Sequence, residues 1–224
     1  VLKDSTYIVN GKFSFSDTIS YPEMHYLFFK DIIGNIPLIL EPGEIKLNIY
    51  KDSLSNSKVS GTKSNDDFKR YKNETLVYTN ELSKIDQEIN VALSSSDSLL
   101  VSDLESQFVN IREKLTDYEF DFINKNNDSY ISSLILRRMI FERSIDYNLA
   151  DSLLNNFSDL IKRTSSSIEI KKIIDNYKLT NSESPRIGSF APKFSGPGLN
   201  GETISLNSID SKYILLEIFW VLEI

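Results

Sequence analysis

The sequence predicts an α+β protein that begins with a small antiparallel β region and continues into a long helical region. Three observations indicate this organisation. Short apolar or alternating runs between turn signals fill residues 1–63, and apolar residues recur at three- and four-residue steps through residues 64–178. A polar, Ser/Asn-rich linker at residues 179–187 then separates these regions from a second hairpin pattern in residues 188–224.

The β region contains five short runs that we predict to be strands. Asn10-Gly11 is a hairpin signal, because both central residues of a type I′ turn need positive φ. Glu41-Pro42-Gly43-Glu44 reads as a β-turn, and the alternation that follows it predicts a strand with one buried face. We expect one small antiparallel sheet that lacks a strand or two before Val1. The predicted strands are Tyr7–Val9, Phe13–Phe15, His25–Phe29, Ile36–Leu40 and Ile45–Tyr50.

The helical region shows two long amphipathic stripes and three shorter patterns. Asn65, with two aspartates behind it, is predicted to cap the first helix. The shorter helices are predicted near Tyr130–Glu142, Asn148–Lys162 and Ser167–Tyr177. Both stripes are interpreted as core packing. They run through Phe68, Tyr71, Tyr78, Leu82, Ile85 and Ile89, and through Leu100, Leu104, Phe108, Ile111, Leu115, Tyr118 and Phe122.

After the linker, Asn200-Gly201 is a second hairpin turn, between the runs Phe194–Gly196 and Thr203–Leu206. A polar connector at Asn207–Ser211 follows, with room for one helical turn. The run Tyr213–Trp220 is almost continuously apolar, which is typical of a strand buried on both faces of a sheet.

Composition excludes several classes of function. The net charge of −7 argues against nucleic acid as a partner, because phosphate binding needs a basic face. The absence of cysteine excludes disulfide scaffolds and thiolate sites, and a single histidine excludes most Ser-His-Asp and multi-histidine zinc sites. No run approaches the ~20 apolar residues of a membrane span. Val1 is not an initiator residue, so we expect a processed or trimmed start.

Several residues have the chemistry of a site, and each is better explained by structure. Paired carboxylates on a helix are usually solvated, and the lone histidine is expected to pack or lie at the surface. Trp220 is expected to be a packed or exposed aromatic, and the short Gly-Pro-Gly stretch is a bend because a phosphate loop needs more residues. We therefore predict no catalytic, cofactor-binding or metal residue. The groups considered are Asp66/Asp67, Glu119/Asp121, His25, Gly196-Pro-Gly198, Arg137-Arg138 and Lys171-Lys172.

The C-terminal segment resembles the start of a thioredoxin-fold domain of the peroxiredoxin and TlpA/ResA-like thiol–disulfide oxidoreductase families. The resemblance rests on Ile187-Gly-Ser-Phe-Ala-Pro-Lys-Phe194, on the hairpin Leu199–Leu206, and on Tyr213–Trp220 ending in Phe-Trp. In those families Phe-Trp is soon followed by Cys-x-x-Cys at a helix N-terminus, which lowers the pKa of the first thiol. Here only Val221–Ile224 follow. We therefore expect a domain cut before its redox pair, and an inactive chain.

The upstream region resembles the β-rich N-terminal domain of unknown function that is fused to such oxidoreductases in Gram-negative bacteria. The resemblance rests on Gly11–Phe15, Leu40–Gly43, Val59–Gly61 and Asn65–Phe68. Asn124–Tyr130 is similar to the helical connector between the two domains, with Asn127 where a proline is usual.

The resemblance implies an exported protein of the periplasm or cell envelope, attached to a membrane only through a removed signal or a lipid anchor. It also implies protein disulfides or a thiol–disulfide relay partner as partners of the intact protein. Self-association through residues 212–220 is a further expectation, because an unpaired apolar strand attracts another. A non-enzymatic binding or scaffolding module of the envelope is the alternative.

Overall fold

The computed structural model describes residues 3–183, 188–191, 193–198, 200–211 and 213–215. The chain divides into two compact units, Val1–Tyr177 and Lys178–Ile224. The first unit combines the β region with the helices, which supports an α+β class built from small antiparallel strand pairs.

The β region forms two separate strand pairs and not the single sheet expected. Strand β1 (Glu23–Leu27) pairs antiparallel with β2 (Ile36–Leu40), and β3 (Lys46–Asn48) pairs antiparallel with β4 (Lys58–Ser60). The outer edge of β2 is not available to β3, because the side chain of Asn65 hydrogen-bonds both backbone groups of Ile39.

The first predicted hairpin is present only as its turn. Asn10 and Gly11 have φ of 52° and 71°, and Val9 and Lys12 exchange backbone hydrogen bonds of 2.9 and 3.0 Å. The predicted strands on either side do not form beyond this one bridge. Tyr7 is 90% exposed, so these residues bury little surface, and an isolated two-stranded hairpin is marginal at best.

Six helices follow in the described residues. The predicted helix over 148–162 is two helices, because Phe157 and Ser158 adopt extended backbone between them and Phe157 enters the core. The last helix continues to Glu183, so residues 179–183 of the expected linker are helical. The helices are α1 (Lys63–Ser94), α2 (Ser98–Lys125), α3 (Tyr130–Phe141), α4 (Tyr147–Asn156), α5 (Asp159–Lys162) and α6 (Ser165–Glu183).

Two apolar clusters hold the first unit together. One lies between α1 and α2 and contains most of both predicted stripes; Phe68, Tyr71 and Phe122 belong to the other cluster, and Leu100 is 44% exposed. The other gathers buried residues of α2 to α6 around Ile39 of β2. The α1–α2 cluster consists of Leu82, Ile85, Ala92, Leu104, Ile111 and Leu115.

Asn65 does not cap α1; that prediction was wrong. The N-cap is Thr62, and Asn65 lies in the first turn with 2% of its surface exposed. Its amide donates to Ile39 O at 2.7 Å and to Thr62 Oγ1 at 2.8 Å, and its oxygen accepts from Ile39 N at 2.9 Å. The side chain therefore joins the edge of β2 much as a neighbouring strand would.

The second unit contains the predicted hairpin. Strand β5 (Ser195–Pro197) pairs antiparallel with β6 (Thr203–Ser205), and Gly201 in the turn has φ of 81°. A short 3₁₀ turn at Leu206–Ser208 begins the polar connector. Residues 213–215 carry no strand, and the rest of the predicted strand, with Trp220, lies outside the described residues.

Candidate functional site

A groove of about 390 Å³ lies beside β1, between that strand and helices α3 and α6. It is the best candidate for a binding site in the first unit because charged, hydroxyl and apolar side chains converge on it. Its lining consists of Glu23, Met24 and His25 from β1, Tyr130, Leu134 and Arg137 from α3, and Ser165, Ser166 and Glu169 from α6.

Tyr130 forms the floor of the groove and connects its three elements. Only 3% of its surface is exposed. Burial raises the pKa of Tyr130, and hydrogen bonds with the Met24 backbone and with the hydroxyls of Ser166 and Ser165 partly oppose this rise. The phenol is therefore neutral at physiological pH, and it holds the edge of β1 against the start of α6.

One ion pair and one histidine–carboxylate contact face the groove. Arg137 donates through Nε and a terminal nitrogen to the Glu169 carboxylate, and its guanidinium lies 4.8 Å from the Phe141 ring centre. The hydrogen bond to Glu169 raises the pKa of Arg137. On the strand side, His25 Nε2 lies 3.2 Å from Glu23 Oε2.

This arrangement is suited to binding and carries no catalytic constellation. In the described part of the chain, Ser166 Oγ is shared with Ser133 and Thr164, and His25 contacts Glu23, so no serine–histidine pair forms. With a guanidinium and a carboxylate on the helix side and the Glu23 carboxylate on the strand side, the groove suits a dipolar ligand or an extended peptide better than a simple anion. The groove contains His25, which no pattern in the sequence singles out as a binding residue.

Glu119 occupies a different place, as the buried centre of a charged network. Its surface is 2% exposed; it accepts a hydrogen bond of 2.5 Å from Tyr71 and pairs with Arg138. Arg138 also contacts Glu142 at 2.7 Å. Burial, followed by the charge of Glu119, raises the pKa of Tyr71. Because the network joins α1, α2 and α3, we assign it to packing.

Asp121, which the sequence pairs with Glu119, lies at the surface and not in this network. Asp121 is exposed and contacts Lys125 at 2.8 Å, so Glu119 and Asp121 do not form an acid–base pair. Likewise Asp67 pairs with Lys63 at 2.9 Å and with Arg70 at 3.1 Å.

The adjacent basic residues also separate. Arg137 and Arg138 turn to different carboxylates, on α6 and α2 respectively. Lys171 pairs with Asp175 at 2.8 Å. Gly196 and Pro197 belong to β5, and Gly198 follows it, so this stretch is part of the hairpin.

Neither a metal cluster nor a membrane-spanning helix is found in the described ranges. No group of three or more His, Cys, Asp or Glu residues there is placed to hold a metal ion. None of the helices in these ranges is both long and apolar enough to cross a bilayer.

A comparison with known families matches the N-terminal part of the chain. A family model described as a domain of unknown function (DUF4369) matches residues 1–68, which cover β1 to β4 and the first turn of α1 with Asn65. No curated protein and no solved structure matches the chain. The match includes the β1 side of the groove, whereas the α3 and α6 sides lie beyond it.

Proposed function

We propose that this chain is the N-terminal part of an exported thiol–disulfide oxidoreductase of the TlpA/ResA-like kind. In this proposal residues 188–224 begin the thioredoxin-like domain, and the first unit is a non-catalytic module that precedes it in the periplasm. The observation that carries the proposal is the order of three signals: Ile187–Phe194, then the hairpin, then Tyr213–Trp220.

The hairpin geometry supports this order. Gly196 is paired with Ile204 at the centre of β5 and β6, and Leu206 N donates to Phe194 O at 2.9 Å beyond the strands. The turn is closed by hydrogen bonds from Gly198 N to Glu202 O at 2.7 Å and from Gly201 N to Gly198 O at 3.1 Å. The segment therefore presents a short hairpin directly after the Phe-Ala-Pro-Lys-Phe stretch, as the resemblance requires.

The proposed chemistry needs thiols, which residues 1–224 do not contain. In thiol–disulfide exchange a thiolate attacks a substrate disulfide and forms a mixed disulfide, which a second thiol resolves. The substrate is reduced to two thiols while the enzyme's pair is oxidised. Since the sequence contains no cysteine, this chain is expected to be inactive alone, and its partners would be those of the intact protein.

Sequencing the gene beyond the codon for Ile224 tests the proposal. We expect Cys-x-x-Cys within a few codons, in the same or a shifted frame. An extended chain should reduce insulin disulfides, a chain ending at Ile224 should not, and an extended chain with both cysteines changed to serine is the matched control. Absence of the motif in every frame, or insulin reduction by the serine control, would contradict the proposal.

A second candidate function is a non-enzymatic binding module of the cell envelope, and the groove beside β1 favours it. Arg137→Ala would remove the basic member of the α3–α6 ion pair, whereas Arg112→Ala removes an exposed arginine that contacts Glu142. If the groove binds an envelope component, co-sedimentation with washed bacterial envelopes should weaken by about fivefold or more in the first variant only. Equal co-sedimentation of the two variants would count against this function.

A further inference from the structure

Four large apolar residues are exposed at the end of the α1–α2 hairpin, on either side of the connection between the two helices. We define the hairpin tip as residues 91–100, which comprise the last turn of α1, the connection at Ser95–Asp97 and the first turn of α2. Val91 is 70% exposed, Leu93 58%, Leu99 84% and Leu100 44%. Large apolar side chains concentrated at one end of a surface element are typical of an interaction site.

These four residues are not needed for the packing of the hairpin. Buried and half-buried apolar positions on α1 follow a repeat of four and three residues, of which Ile85, Ile89 and Ala92 are the last three. This is the narrow seam of a two-helix coiled coil, which needs no wider apolar face. Val91 and Leu93 flank the seam residue Ala92, which is 1% exposed, and they lie outside the seam themselves.

The tip lies within an acidic stretch of the chain, although residues 91–100 themselves carry one carboxylate, Asp97, and no basic residue. Residues 81–105 contain one lysine, Lys84, and six carboxylates, which gives a local net charge of −5 out of −7 for the whole sequence. The six carboxylates are Glu81, Asp86, Glu88, Asp97, Asp103 and Glu105.

We infer that the hairpin tip is a docking site for a protein segment that presents lysine or arginine beside apolar residues. The apolar side chains would supply contact area that leaves water, and Asp97 with the carboxylates along the adjoining parts of α1 and α2 would steer a basic partner toward this end of the hairpin. Two hairpin ends with this net charge over residues 81–105 would repel each other, and so would a hairpin end and an anionic membrane. This inference is independent of the proposed redox function.

The test uses the whole chain and two synthetic peptides of about 18 residues, long enough to form an amphipathic helix. One peptide combines leucine with lysine, and the other replaces every lysine by glutamate. Binding is measured by fluorescence anisotropy at low and moderate salt. The tip variant is Leu99→Ser with Leu100→Ser. The matched control is Leu76→Ser with Val77→Ser, two residues that are 54% and 62% exposed on α1 away from the tip.

We expect the lysine peptide to bind and the tip variant to weaken that binding at least about tenfold, with the control within about twofold of the parent chain. The leucine substitutions separate two explanations of binding. If the peptide bound only through electrostatic attraction to an acidic protein, replacing leucine by serine would leave its affinity unchanged. Circular dichroism checks that all variants fold. Equal effects of both variants, equal binding of the glutamate peptide, or no binding would overturn the inference. Dimerisation in sedimentation equilibrium that is lost in the tip variant would overturn the inference and identify a second copy of the chain as the partner. Binding to lipid vesicles that is lost in the tip variant would overturn it in favour of a membrane.

Discussion

Asn65 is the residue whose replacement tests most directly how the β region is attached to the helices. The sequence-based expectation of an N-cap and the structure make opposite predictions for Asn65→Asp. A cap near the positive end of the helix dipole would tolerate aspartate or improve with it. In the structure, aspartate loses the donors to Ile39 O and Thr62 Oγ1 and places a charge beside that buried carbonyl.

The loss of stability expected for Asn65→Ala can be worked out from the backbone groups that this substitution leaves without a hydrogen bond. Ile39 is fully buried, so its N–H and C=O would each lose their hydrogen bond without gaining water. At about 1–2 kcal/mol for each such group, the loss is about 2–4 kcal/mol. Alanine has a better helix propensity than asparagine, and this offsets about 0.5 kcal/mol of the loss in stability. We therefore expect the free energy of unfolding to fall by about 1.5–3.5 kcal/mol, a large part of a typical domain's stability.

Urea denaturation followed by far-ultraviolet circular dichroism measures this change. Asn73→Ala, at an exposed position of the same helix, is the matched control and should be neutral or slightly stabilising. Asn65→Asp should be at least as destabilising as Asn65→Ala at neutral pH. An Asp variant as stable as the parent chain would refute the pairing of Asn65 with β2 and restore the capping interpretation.

Two further predictions concern a turn and the alkaline limit of stability. Gly61 has φ of 100°, and a Cβ there would lie 2.5 Å from Glu44 O; Gly61→Ala should therefore cost about 2 kcal/mol or more in urea unfolding. Gly11→Ala, with φ of 71° and open space, should cost only about 1 kcal/mol, and equal losses would contradict the steric argument. Stability should also fall above about pH 10, because Tyr71, with its raised pKa, keeps its proton in the folded chain while the unfolded chain ionises. Tyr71→Phe should make that fall shallower by at most about 1.4 kcal/mol per pH unit in a pH series of urea titrations, and an unchanged slope would argue against a buried Tyr71 phenol.

The parts of the fold that depend on local periodicity could be predicted from the sequence. The seams of α1 and α2 were visible because a helix repeats its buried face within a few residues. The turns at Asn10-Gly11 and at Gly201 were visible because a positive φ restricts which residues can stand at those positions.

The parts that depend on distant partners could not be predicted in this way. Asn65 bonds a strand 26 residues away, so its amide looked like a cap. The groove draws on three elements, β1, α3 and α6, and no spacing pattern connects His25 to Arg137 or to Glu169. The position of Glu119 could have been noticed, because it directly follows Tyr118 of the apolar stripe. A carboxylate beside a buried face must either reach solvent or find a buried partner.

The attachment of β1 and β2 to the helices also bears on aggregation. A two-stranded sheet normally leaves two rows of unpaired backbone groups, and such rows attract strands from other molecules. Here Ile39 on the outer edge of β2 is hydrogen-bonded by the Asn65 side chain, and Met24 of β1 lies beside the buried side chain of Tyr130. A fragment ending at residue 63 would lack both side chains and expose both rows. We therefore expect such a fragment to form insoluble assemblies where the complete first unit stays in solution.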